Sequence, residues 1–267
     1  MMWRDRLLPT VTLGLFALLV GERVLHARHD AEDDRQNVAT LSADPARPAT
    51  GPATRRNPAV GPEPREVRAL EQMARFATRQ QLTSAGHSTY LDSMLLSTDS
   101  IVRRWPEREH APLKVAITEG GAAEYAPRMA ELVKQALRQW EGLGMGLRFE
   151  IVSDTAAADI SVHWVERFEF DRVGQTDLAW DQRGHVRHAS ITLAVRASNG
   201  PPLGDAALLG VAIHETGHAL GLPHSSDTDD VMFPATQVDA LSMRDARTAQ
   251  LLYRLPPGSV KDVPARP

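Results

Sequence analysis

Four side chains within eleven residues could share one piece of chemistry: His214, Glu215, His218 and His224, in the run VAIHETGHALGLPHSSDTDDVMFP over residues 211–234. On a helix, a spacing of four stacks the imidazoles of His214 and His218 on one face, about 6 Å apart along the axis, where both can grip one ion. Gly221 can adopt the left-handed conformation that sends the chain back, so that His224 closes a third corner and the fourth is left for water. Glu215 projects roughly 100° around the helix from His214 toward that open corner. It is positioned for general-base work rather than as a fourth ligand. Three neutral nitrogens with one open position suit a catalytic zinc ion.

These residues need a scaffold, and the chain upstream supplies a pattern for one. Residues 113–117 alternate with period two and stop at Gly120 and Gly121, which reads as a strand. A helix is predicted over 124–141, with Met129, Leu132, Val133, Ala136, Leu137 and Trp140 on one face and Gly142 and Gly144 at its end. Strands are predicted over 147–152, 159–165 and 189–195. The long site-bearing helix follows from residue 206, with Asp205 set to cap it and Gly221 to end it. This order implies an α+β fold with a twisted mixed sheet and a long helix on one face. The strand over 189–195, the last before the site, is expected to be the sheet edge that receives an extended peptide in antiparallel fashion. A short helix over 243–254 precedes a Pro-rich tail, 256–267.

Composition narrows the function classes. With 42% hydrophobic and 24% charged residues in 267, the chain can bury a core, and disorder and fibrous classes are excluded. A net charge of −4 offers no electrostatic footprint for nucleic acid. The absence of cysteine removes disulfides, thiolate zinc sites, iron–sulfur clusters and cysteine nucleophiles, so any metal is held by His, Asp or Glu.

The first 27 residues carry an apolar run, 7–20, behind Arg4 and Arg6 and ahead of Glu22, Glu32, Asp33 and Asp34. That polarity fits an export signal, either a cleaved leader or a signal anchor, with the body outside the cytoplasm. A Pro/Ala-rich linker is expected over 28–65, holding the body off a membrane that only the N-terminal segment touches. Helical stretches are expected over 66–81 and around 90–105, ending at Pro106, and together 66–110 forms a helical segment that could serve as a pro-region, a cover or part of the packing. The body, 111–255, is expected to be a monomer.

The motif H-E-x-x-H-x-x-G-x-x-H with a methionine soon after resembles the metzincin signature, and HETGHALGLPHS with Val231-Met232-Phe233-Pro234 is most similar to the matrixin branch. The likeness is specific over 211–234 and looser over 112–255. It implies that His214, His218 and His224 ligate a catalytic zinc, that Glu215 is the general base, and that Met232 lies in a turn beneath the metal. Ser225 fits the matrixins, whereas astacins carry Glu there, and Phe233 lacks the hydroxyl of a tyrosine ligand. The chain departs from the family in having no cysteine for a thiolate latch, so any inhibition by 66–110 uses another contact. A second zinc would draw on His163, His185 and His188, and neither it nor a calcium loop is evident between residues 165 and 189.

The reading that follows is an exported zinc endopeptidase acting on protein or peptide. Two other classes use the same residues: a zinc hydrolase of a non-protein amide such as peptidoglycan, and an anchored zinc-binding interaction protein without turnover.

Overall fold

Leu113 and Val115 point inward from the first long strand, as their period-two spacing requires, and a five-stranded sheet is assembled around them. The computed structural model describes residues 64–96, 100–108 and 111–261. The leader expected over 1–27, nearly all of the linker over 28–65 and the last six residues of the tail lie outside the described residues. Among the described residues no helix is long and apolar enough to cross a membrane.

In chain order the elements are α1 (Pro64–Ser84), α2 (Ser93–Leu96), β1 (Ile101–Val102), β2 (Leu113–Ile117), α3 (Pro127–Glu141), β3 (Phe149–Val152), β4 (Ile160–Val165), β5 (Gly174–Trp180), β6 (Val186–Ala194), α4 (Asp205–Ala219), α5 (Met243–Arg254) and β7 (Gly258–Ser259). The large sheet runs β3-β2-β4-β6-β5, and β1 pairs with β7 in a separate ribbon. Strands β3, β2, β4 and β6 are parallel neighbours, and β5 is antiparallel to β6. The parallel step from β2 to β3 needs a crossover, which α3 provides. The fold is therefore the α+β class with a mixed sheet.

Helix α3 begins at Pro127 rather than at residue 124. Proline disfavours helical backbone in the residue before it, and Ala126 is extended, while Pro127 itself fits the first turn. Met129, Val133, Ala136, Leu137 and Trp140 form its buried stripe, as the spacing predicts. Helix α4 is buried on all sides from Leu208 to Ala219, wedged among α3, β5 and β6. Trp140 ties the two helices by donating its ring N–H to the Ile213 carbonyl at 3.0 Å.

Three expectations need correction. The stretch around 90–105 is not one helix: only Ser93–Leu96 is helical, and Ile101–Val102 pairs with Gly258–Ser259. Tyr90, Leu91 and Trp105 serve the core from loops and Val102 from β1, all of them buried. Asp205 does not cap α4; Gly204 holds the cap position without a side-chain bond, and Asp205 pairs with Arg128 at 3.0 Å. Finally, the strand over 189–195 is not an edge. It is β6, flanked by β4 and β5, and the edges are β3 and β5, the latter a strand the sequence pattern does not reveal.

Candidate metal centre and active site

The turn that ends α4 builds the site. Gly221 has φ +98°, and the Leu222 N–H reaches the Gly217 carbonyl at 3.0 Å while the Gly221 N–H reaches that of His218 at 2.8 Å. This paired closure reverses the chain after the second histidine. A side chain at position 221 would also meet the Arg103 carbonyl, since a Cβ there would sit 2.1 Å from it. Glycine is thus required twice over.

After the reversal His224 faces the helix. His218 Nε2 lies 3.1 Å from His214 Nε2 and 3.1 Å from His224 Nε2. Two nitrogens each about 2.0–2.1 Å from a tetrahedral zinc stand about 3.3 Å apart, so the spacing fits that ion. The far ring nitrogens fix the tautomers. His214 Nδ1 bonds the Val231 carbonyl at 2.7 Å and His218 Nδ1 the Leu222 carbonyl at 2.9 Å. Carbonyls only accept, so each Nδ1 carries the proton and each Nε2 presents a lone pair. Burial holds the His214 imidazole well below its ordinary pKa, with His218 beside it adding to the shift, and burial lowers His218 to about 4. Among the described residues these three histidines are the group that could hold a metal ion. His185 stands beside Asp181, and His188 lies against Ser161, and among the described residues no ligand set forms around either.

Glu215 is fully buried. Its Oε2 lies 2.7 Å from the Thr176 hydroxyl, which is also 3.0 Å from the Glu215 main-chain carbonyl. Met232, completely buried, packs under the helix at Gly217; a Cβ on that glycine would meet its sulfur at 2.3 Å.

A polar frame supports the turn after His224. Asp245 accepts from the Val231 N–H at 2.8 Å, the Ser242 N–H at 2.9 Å and the Tyr90 hydroxyl at 2.9 Å. Asp230 accepts from Ser242 Oγ at 2.6 Å and Arg244 at 2.9 Å, and bonds Ser225 Oγ at short range. Sequence reasoning picks out the four motif residues and Met232 but misses Thr176, Asp230 and Asp245. Of these only Asp245 left a local signal, as the fourth residue of the S-x-x-D capping box that opens α5.

A model of the matrixin family matches residues 104–254, which is more than half of the chain. The chain belongs to the matrixin family. Over 55 residues it is 42% identical to matrilysin of Felis catus, a match that covers 21% of this chain and 18% of that relative. The chain therefore spans under a fifth of the length of this curated relative.

Proposed function

We propose that the protein is a zinc-dependent endopeptidase, exported by its N-terminal segment, with His214, His218 and His224 as metal ligands and Glu215 as general base. The observation that carries the reading is the convergence of three Nε2 atoms at 3.1 Å spacings one residue from a buried carboxylate. A zinc ion held by these imidazoles would polarise the scissile carbonyl and bring the pKa of a water toward 7. Glu215 takes the proton from the attacking water and returns it to the leaving nitrogen, so no covalent intermediate is needed.

Substrate recognition follows from the sheet. As the edge strand that packs against α4, β5 offers backbone groups to an extended peptide running antiparallel to it. One turn before His214, Gly210 and Val211 border a cavity of about 550 Å³ whose walls include Val173, Leu203, Ala207 and Val238. An apolar side chain next to the cleaved bond fits there. Trp105 donates to the Ala219 carbonyl at 2.9 Å and Arg104 to that of Leu255 at 2.8 Å, which supports reading the end of the 66–110 segment as part of the packing of the body.

The test is product analysis by mass spectrometry after incubating the zinc-loaded protein with a peptide library and, separately, with peptidoglycan fragments. Internal peptide cleavage that a chelator abolishes is expected. Cell-wall products alone would replace the endopeptidase reading with the amidase one.

A further inference from the structure

Strand β5 does more than border the sheet, because one of its faces is fitted to Glu215. Gly174 and Thr176 are two residues apart, share that face, and are both buried, whereas Gln175 points away and bonds Asp177. A Cβ at Gly174 would lie 2.3 Å from Glu215 Oε1 and 2.8 Å from its carboxyl carbon. Gly174 has ordinary strand backbone rather than a positive φ, so its lack of a side chain answers to space. The Thr176 hydroxyl, 6% exposed, has two oxygens of the same residue in reach: Oε2 at 2.7 Å and the main-chain carbonyl at 3.0 Å. Its single proton is shared between the side chain and the backbone of Glu215, which ties the carboxylate to its own helical turn.

We propose that Thr176 is the positioning residue for Glu215 and that Gly174 supplies the recess its carboxylate occupies; the proposal rests on reading Glu215 as the base. A glutamate has three rotatable side-chain bonds, and proton transfer demands heavy atoms within about 2.6–3.2 Å. With Oε2 held by the hydroxyl and Oε1 set against the Gly174 recess, the carboxylate keeps one orientation. Valine at this position has the shape of threonine but sets a methyl against a carboxylate oxygen.

The experiment uses the full chain loaded with zinc, in five forms: parent, Thr176→Val, Thr176→Ser, Glu215→Gln and the double variant Thr176→Val/Glu215→Gln. Thr176→Val is expected to keep one zinc per chain and its melting temperature while kcat falls about 10- to 100-fold, the scale of a base displaced by about 1 Å. KM stays near the parent value. Thr176→Ser restores most of kcat, and the double variant is no slower than Glu215→Gln. A crystal structure of Thr176→Val should show the carboxylate turned from its parental position. If the Thr176→Val chain does not fold, Thr176→Ala removes the same hydroxyl and is read in its place.

Parental kcat in the variant lacking the hydroxyl, equal slowing on the Glu215→Gln background, or loss of zinc would overturn the proposal. Near-parental turnover by Glu215→Gln itself would instead overturn the general-base reading. The two failures are thus separable.

Discussion

His214 and Val231 are joined by a 2.7 Å bond from Nδ1 to the carbonyl, and the same Val231 donates its N–H to Asp245 at 2.8 Å. The main chain of one residue outside the helix therefore sets the tautomer of the first histidine, and a carboxylate on α5 anchors that residue. Polar partners of this kind orient a ligand ring and raise its basicity.

Asp245→Leu should weaken the metal site although the residue touches no ligand. An apolar side chain of similar size accepts nothing, so the Val231 N–H loses its partner together with the Ser242 N–H and the Tyr90 hydroxyl. Zinc affinity, measured by competition with a chromophoric chelator, is expected to fall about 10- to 100-fold. An unchanged affinity would show that Val231 holds its position unaided.

Glu215→Gln should separate metal binding from turnover. The three imidazoles remain, so elemental analysis should still find about one zinc per chain, and cleavage of a casein-type substrate should slow about 10²- to 10⁴-fold. Loss of zinc in this variant would mean that the carboxylate helps to build the site.

Tyr90 tests whether the N-terminal helical segment is part of the body. Burial first, and Asp245 next, push its hydroxyl well above the ordinary tyrosine pKa, so it donates throughout the neutral range. Tyr90→Phe removes a bond to a charged acceptor, expected to cost about 2 kcal/mol. For a domain of this size that is a drop in Tm of about 4–8 °C by calorimetry. A chain begun at residue 111 should fail to fold, whereas one begun at Glu66 should give a folded monomer. A parental melting curve for Tyr90→Phe would contradict the first expectation.

Asp181, in the turn between β5 and β6, supplies a pH dependence. Partial burial tends to raise its pKa, but bonds from the His185 N–H, the Arg187 guanidinium, the Arg183 N–H and the His185 ring outweigh it and bring the value down to about 2. A folded pKa below the unfolded 3.8 means the stabilisation is complete above about pH 4 and fades as the pH falls toward 2. The difference in Tm between parent and Asp181→Asn should accordingly stay constant from about pH 8 to pH 5, on the same linkage argument, and narrow only below about pH 4. A gap that closes near pH 6 would assign the effect to histidine instead.

The candidate metal site is legible in the sequence because it is local: His214, Glu215, His218, Gly221 and His224 declare their geometry through helix spacing and one turn. The strands β2 and β4 are legible for a similar reason, their alternation or apolar density being continuous. Strand β5 is not, because the face it buries carries Gly174 and Thr176, whose fit is to a glutamate 39 residues beyond Thr176 rather than to a hydrophobic neighbour. The segment around residues 90–105 misleads in the opposite sense. Tyr90, Leu91 and Met94 are spaced as on a helix, yet they are drawn inward by contacts such as that of the Tyr90 N–H with Thr248 Oγ1, 158 residues away in sequence.

The β1–β7 ribbon joins Ile101 to Ser259, and the Val260 N–H reaches the Ser100 carbonyl at 2.8 Å. Long-range pairings of this kind are slow to form, because the loop-closure entropy is spent before any contact repays it. During synthesis, the seat for residues 100–105 is therefore finished by residues that leave the ribosome long after it, behind every strand of the large sheet and the site-bearing helix. The clasp therefore stays open until β7 has been made, so the order of translation itself delays completion of the body.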